Sequence, residues 1–441
     1  MKEFSRVQLR EVVFIKGGKR LPLGEDFSTQ KTSHPYIRAR DIGYGNIRVQ
    51  DAVYLSDEIA QKLSRYRVSK GDVCITIVGA NVGEIGVVPP ELNGANLTEN
   101  AVRITSNGKI VQGFLKYTLL AQDALAQMKV LAGGAAQPKL GIYKIETIEI
   151  PLPTLPKQRK IAAILSAYDD LIDNNLRRIK ILEEMTQNLY REWFVKFRFP
   201  GHQHARFTDS LLGRIPEGWE VVTLGSLIAE HVGGGWGNDV EDDKHTEPAW
   251  VIRGTDIPDA RSCDFSKVPF RYHTKSNLKS RRLMPGDIVF EVSGGSKGQP
   301  LGRSLYVSSE LLAAFNGDPV ICASFCKRIQ PDSKQYASEL LYLSFLDAYL
   351  SGEIEQYQVQ STGISNFKWS DYLEKVSRYV PPIALQERFC ELSVPLFSEI
   401  VTLGRKNTTL RRTRDLLLPK LISGEVDVSA LDIAVPEEAI A

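Results

Sequence analysis

From Ile161 onward, apolar residues recur at alternating steps of four and three: Ile161, Leu165, Tyr168, Ile172, Asn175, Ile179, Leu182, Thr186, Leu189 and Trp193, eight of the ten being apolar. A shift of 228 residues gives Phe389, Ser393, Leu396, Ile400, Leu403, Asn407, Leu410, Arg414, Leu417 and Leu421, seven of them apolar. A 3.5-residue period lets one helix lie along another as a coiled coil, so the two stretches are natural partners. Their polar positions do not coincide under the shift, because Asn175 aligns with Leu403 and Asn407 with Ile179. An asparagine in such a seam fixes register at some cost in stability. Pro395 removes a backbone donor and crowds the preceding turn, which predicts a second helix that starts near it or bends there. Pro419 is expected to disturb the last turns, and Gly424 to stop the helix. The first helix, read from Gln158 to Val195, would be roughly 55 Å long. A rod of that size suits two heads that read separated patches of one long ligand. DNA is the obvious candidate, with half-sites about 10 to 15 base pairs apart.

The chain ahead of each helix is also duplicated. Ile37-Arg38-Ala-Arg40-Asp41-Ile42 matches Ile252-Arg253-Gly-Thr-Asp256-Ile257 at an offset of 215, as do Gly71-Asp72-Val73 with Gly286-Asp287-Ile288 and Val7-Gln-Leu9 with Val222-Thr-Leu224. By Pro153…Gln158 and Pro381…Gln386 the offset has grown to 228, so thirteen residues have entered the second copy. A period above 200 residues means that a whole domain with its trailing segment occurs twice. The β-branched runs Asp72–Val78 and Asp287–Ser293 read as strands closed by the glycine-rich turns Gly79–Gly83 and Gly294–Gly298. Neither turn has the spacing of a P-loop or a dinucleotide fold.

Composition changes this picture little. The 441 residues are 43% hydrophobic and 24% charged with a net charge of +2, an ordinary globular chain of several domains. Locally, Phe265–Gly286 holds no acid but six cations, Lys267, Arg271, Lys275, Lys279, Arg281 and Arg282. Such a run is either a solvated face or the footprint of a nucleic acid. The first residues lack a secretory core, no stretch is apolar enough to span a membrane, and five scattered cysteines suit free thiols, so the expected location is the cytoplasm. No zinc pattern, nucleophile elbow, kinase signature, Walker loop or Asn-Pro-Pro-aromatic run is present. Binding without catalysis and without a metal is the expectation, although a stand-alone nuclease or methyltransferase, or a coiled-coil adaptor for proteins only, also fits this pattern.

Four stretches then resemble one family, the specificity subunits of type I restriction-modification systems. They are Ile150–Leu165 (IPLPTLPKQRKIAAIL), Glu192–Phe197 (EWFVKF), Ile215–Glu220 (IPEGWE) and Leu417–Val426 (LLPKLISGEV). The resemblance runs across essentially the whole chain and departs at Glu387–Cys390 and Pro395, where the helix start is less regular. It implies an α+β architecture of two similar strand-rich α/β target-recognition domains, separated by two long helices that pair as an antiparallel coiled coil. Residues 1–152 would form the first recognition domain, 153–199 a central helical spacer, 200–380 the second domain, 381–425 the C-terminal spacer and 426–441 a tail. Such chains bind a bipartite duplex, one half per domain, and scaffold two methyltransferase subunits that use S-adenosylmethionine and restriction subunits that use ATP and magnesium. The specificity chain itself binds no cofactor, is not the catalyst and works in a bacterial or archaeal cytoplasm.

Base edges are read typically by Arg or Lys on guanine and Asn or Gln on adenine, whereas phosphates are held by cations and backbone amides. The duplication places candidates equivalently. Arg38 and Arg40 match Arg253 and Thr255, and Lys62, Arg65 and Arg67 precede Gly71 as Lys279, Arg281 and Arg282 precede Gly286. Asn81 lies in the turn after the first copy's strand, and Ser296 and Lys297 in the second's. Two polar loops, one with Gln137 and Lys139 and the other with Asn366 and Lys368, complete the set. The loops are favoured for base contacts and the cations for phosphates. Trp193, Phe194 and Phe197 are either partner anchors or a cap on their own domain's core.

Overall fold

The computed structural model describes residues 4–435, except 44, 50–51, 134–137, 295–298 and 361–362. It divides into two units, Met1–Leu171 with Leu410–Ala441, and Ile172–Thr409, so that each contains one head and stretches of both long helices.

In the first unit a sheet runs in the order Val13–Gly17, Ala101–Ser106, Val73–Thr76, Ile85–Val87, Gly45–Ile47, Ile42–Gly43. Beside it, Pro35–Ile37 pairs antiparallel with Val53–Tyr54 and parallel with Asn96–Leu97. In the second unit the strands Ile228–Gly233, Cys326–Pro331, Ile288–Glu291 and Ser304–Tyr306 repeat the first four in the same order. There too, Glu247–Ile252 pairs antiparallel with Phe270–His273 and parallel with Val320–Cys322. The heads therefore share this core strand order, to which the first adds Gly45–Ile47 and Ile42–Gly43. Each head is closed by an antiparallel pair, Arg6–Gln8 with Glu149–Pro151 and, after the hairpin Phe207–Pro216, Glu220–Thr223 with Ser377–Val380. Their β-branched inner strands are fully buried, as the uninterrupted apolar runs require.

The repeated glutamine has a structural task. Gln158 Oε1 accepts the Val111 N–H (2.8 Å) and its Nε2 donates to the Pro153 carbonyl (2.7 Å). Gln386 Oε1 likewise accepts the Ala337 N–H (2.8 Å) and its Nε2 donates to the Pro381 carbonyl (2.9 Å). Val111 and Ala337 are the N-caps of the helices Gln112–Leu120 and Ser338–Ser351. Each buried amide thus satisfies an orphan donor of a head helix and ties that head to the start of its long helix.

The central helix spans Leu155–Tyr190 and ends in a π-type turn, Arg191–Val195. The C-terminal helix spans Ile383–Ser423. It does not start at Pro395, the first of the two outcomes expected for that proline, and it runs on past Pro419. Both prolines lie on its exposed face, where each removes a single ladder donor, and the helix begins instead directly after Pro381-Pro382. It ends before Gly424, whose φ is +82°. None of the seam residues is exposed. Ile161, Leu165, Ile172, Ile179, Ile400 and Leu403 are buried, and Tyr168, Leu182, Leu189, Leu396, Leu410 and Leu417 are half-buried.

Within the second unit Ile179 packs with Ile400 and Leu403, and the Trp193 ring meets that of Phe389 at 5.7 Å, so the helices run antiparallel. This direction corrects the meaning of the unaligned asparagines. Asn175 meets Asn407 itself, its Nδ2 donating to Asn407 Oδ1 (2.8 Å), because antiparallel pairing brings together positions that the repeat offset keeps apart. In the first unit Ile161 and Leu165 share a core with Leu417 and Leu421, and Asp169 accepts from both Lys116 (2.6 Å) and Arg414 (2.7 Å). Trp193 and Phe194 are buried with Trp219 and Phe389 in the second head's core, which removes them as free partner anchors, and Phe197 stacks edge-on against Trp219. Gly404 lets the C-terminal helix approach this head, since a Cβ there would collide with the Ser262 carbonyl.

Candidate nucleic-acid interface

In each head the turns singled out by the repeat converge on one end of the main sheet. In the first, the post-strand turn is closed by the Gly83 N–H on the Thr76 carbonyl (2.9 Å), and the Leu140 N–H donates to the Ile77 carbonyl (2.9 Å). An isolated bridge joins Val78 to Lys139, so the loop carrying Lys139 lies against that turn. The Thr76 hydroxyl reaches the Ala39 carbonyl (3.4 Å), which brings the Arg38–Asp41 turn to the same place. In the second, Ser293–Gly294 pairs with Ser365–Phe367 and the Ser293 hydroxyl donates to Asn366 Oδ1 (2.8 Å). A Cβ at Gly254 would collide with the Glu291 carboxylate, so the Arg253–Asp256 turn sits over that strand end as well.

Arg38 and Arg253, both candidates for DNA contact, are each engaged within their own turn. Each donates Nε and Nη2 to the carboxylate three residues on, Arg38 to Asp41 (both 2.8 Å) and Arg253 to Asp256 (2.9 and 2.8 Å). The same carboxylates accept the arginines' own backbone N–H, so the fork shapes the turn. Arg40 and Thr255 stand exposed beside them. Asn81, Lys139, Asn366 and Lys368 are exposed, while Gln137, Ser296 and Lys297 lie outside the described residues.

The basic segments form a second group in each head. Lys62 reaches Glu25 at 3.3 Å, and Arg65, Arg67, Lys279 and Arg282 are exposed. Arg281 is half-buried, donating Nε to the Gly233 carbonyl (2.9 Å). These segments are pinned by a pair of arginines that the sequence reading passed over. Arg103 Nη1 donates to the Arg67 carbonyl (2.6 Å) and lies 3.6 Å from Asp72. Arg328 Nη1 donates to the Ser280 carbonyl (3.1 Å) and its Nε to Asp287 (2.8 Å). Burial pushes the Asp287 carboxyl up, against the pull of the Met284 N–H and of Arg328. The signal was present as Arg103-Ile104 and Arg328-Ile329, at an intermediate offset of 225.

Among the described residues no group of three or more His, Cys, Asp and Glu is placed to hold a metal, and no helix is long and apolar enough to cross a membrane. The arrangement offers amides, hydroxyls and cations on rigid turns, the donor set that reads base edges and holds phosphates.

Residues 1–184 match the family model described as the type I restriction modification DNA specificity domain. The chain is 27% identical over 407 residues to the type I restriction enzyme MjaIX specificity subunit of Methanocaldococcus jannaschii, covering 90% of this chain and 88% of that one. It is 21% identical over 420 residues to the HindI specificity subunit of Haemophilus influenzae, covering 81% and 87%. The crystal structure of a type I restriction-modification S subunit from M. genitalium superposes with a TM-score of 0.52 at 13% identity, over 95% of this chain and 96% of that one, and shares its fold. With the duplicated heads and the antiparallel helix pair, these matches make the chain similar to the type I restriction-modification specificity subunits.

Proposed function

We propose that this chain recognises a bipartite DNA sequence, each head reading one half, and scaffolds two methyltransferase subunits and the restriction subunits of a type I complex without catalysing a reaction itself. The observation that carries this reading is the repeated interface: two heads of one core strand order present the same cluster of polar turns and the same pinned basic segment. S-adenosylmethionine, ATP and magnesium belong to the partner subunits in this reading. The exposed turns are assigned to bases, the basic segments to phosphates, and the paired helices to the fixed length of the unread spacer.

The test incubates the purified chain with duplex DNA, magnesium and S-adenosylmethionine, alone and with modification subunits. The chain alone shifts duplexes at low salt but forms no product, and methylation appears only when the partners are added. Mapping of methylated adenines in the host then yields one interrupted motif. Product formed by the chain alone would support a stand-alone enzyme, and failure to shift any duplex a protein-only adaptor.

A further inference from the structure

The second head carries, beside the end of its strand Ile288–Glu291, two aromatic side chains whose counterparts in the first head are not aromatic. Val292 and Ser293 both donate their N–H to the Phe325 carbonyl (2.9 and 3.2 Å), so the turn leading into Cys326 lies directly against that strand end. On its other flank the Gly234 and Gly235 N–H groups donate to the carbonyls of Cys326 and Cys322 (both 2.9 Å). Only glycine fits this seat, because a Cβ at Gly234 would collide with the carbonyls of Cys322 and Ala323. One residue beyond these contacts, Phe325 is 52% exposed and Trp236 is 39% exposed. In the first head the carbonyl that accepts the matching N–H, that of Ile77 (2.8 Å), belongs to Asn100, and the matching glycine seat, Gly18 N–H on the Ala101 carbonyl (3.0 Å) and Lys19 N–H on the Leu97 carbonyl (2.8 Å), places Arg20 opposite Trp236.

A scattered exposed aromatic needs no explanation, but these two stand on cationic ground. The Arg271 guanidinium lies 4.1 Å from the Trp236 ring centroid and is itself held by Asp239. The helix Lys275–Arg281 is fastened to the same glycine run, Arg281 through the Gly233 carbonyl and Asn277 with its amide against Gly235. Lys275, Lys279 and Arg282 remain exposed alongside. Flat apolar faces set among cations match nucleic acid, whose bases offer π-faces and whose backbone offers phosphates. On the DNA-recognition reading above, we infer that Trp236 and Phe325 are base-contacting residues of the second head, stacking on or wedging between bases while the neighbouring cations hold the backbone.

The test selects randomised duplexes, long enough for two half-sites, on the full-length chain. Phe325→Ala relaxes base preference in one half of the enriched sequence and leaves the other intact. Trp236→Ala lowers affinity for that sequence about tenfold with an unchanged salt slope, because no cation is lost. Trp236→Phe keeps most of the affinity yet abolishes the DNA-induced quench of tryptophan fluorescence. Wild-type affinity and consensus in both alanine variants, or equal loss of preference in both halves, would overturn the inference. If the wild-type chain enriches no sequence, the recognition reading itself fails and this inference falls with it.

Discussion

Exchange of Asn407 for leucine tests how the helices choose their pairing. Asn407 is 1% exposed and Asn175 8% exposed, and each is bound chiefly by the other helix. Asn407→Leu strands the Asn175 amide and removes the bond from Asn407 Nδ2 to the Ile172 carbonyl (3.3 Å). Asn175→Leu strands the Asn407 amide oxygen in turn. Leaving one buried polar group unpaired costs about 1–3 kcal/mol, so each single variant should lose that much. The double variant strands neither group and buries two leucines between apolar layers, at about 1.5–3 kcal/mol each, which offsets the lost hydrogen bonds. It should therefore unfold within about 1 kcal/mol of the wild type, with a coupling energy of about 3–4 kcal/mol when each single variant loses about 2 kcal/mol. Urea unfolding followed by far-ultraviolet circular dichroism, which reports the helices, measures all four proteins. A double variant that loses the sum of the two single losses would refute the reasoning, because the asparagines would then act independently.

Gln158→Ala and Gln386→Ala should each destabilise by about 1–3 kcal/mol and speed hydrogen exchange at Val111 and Ala337 respectively, since each strands a helix N–H at a head–helix joint. Lys279→Ala should weaken all sequences alike and reduce the slope of log affinity against log salt by about 0.9, whereas Asn366→Ala should relax one half-site only; uniform loss in both would contradict the assignment. Arg281→Ala is the less selective probe, because its guanidinium also holds the glycine run. Asp169 is half-buried, and although burial raises its carboxyl, Lys116, Arg414 and the Tyr117 hydroxyl pull harder and leave it below the ordinary value. Its contribution is complete above the unfolded-state value of about 4 and fades as pH falls through the lower folded value, so Asp169→Asn should flatten the acid limb of a stability profile.

The architecture was legible because it rests on period and repetition, which a single chain displays. A 3.5-residue seam and offsets of 215 and 228 are arithmetic on residue positions, and the shared strand order of the heads follows from the same matches. The C-terminal helix begins at Ile383 and not at Pro395, a start suggested only because proline was judged by its type. On an exposed face Pro395 costs the ladder one donor, which the packed residues on either side outweigh. The asparagines were misread because repeat alignment relates equivalent positions, and antiparallel packing relates opposite ones. At the interface, an aspartate three residues on makes Arg38 a brace of its own turn, a local pattern that was available in the sequence. Trp236 and Phe325 were not legible, since their exposure depends on where two glycine amides find their carbonyls.

Beneath the two reading ends the heads differ as a set. The Thr76 N–H donates to the Glu84 carbonyl and the Glu291 N–H to the Arg303 carbonyl, both at 2.9 Å, so these positions are equivalent. Where the first head has Ala39 and a Thr76 hydroxyl reaching its carbonyl, the second has Gly254 making room for Glu291, which grips Arg303 by Nε (2.8 Å) and Nη2 (2.5 Å). Both members of that fork are buried, Arg303 at 6% exposure and Glu291 at 2%. A buried Arg–carboxylate pair contributes little net stability compared with apolar residues of the same volume, yet losing one partner costs about 3–5 kcal/mol. What the fork supplies is position: it fixes where the Arg253–Asp256 turn and the segment after Glu291 leave the sheet. The glycine, the glutamate and the arginine work only together, whereas the first head meets the same requirement with a hydroxyl. On the proposed reading, different braces under equivalent loops let one fold hold its side chains differently against two half-sites.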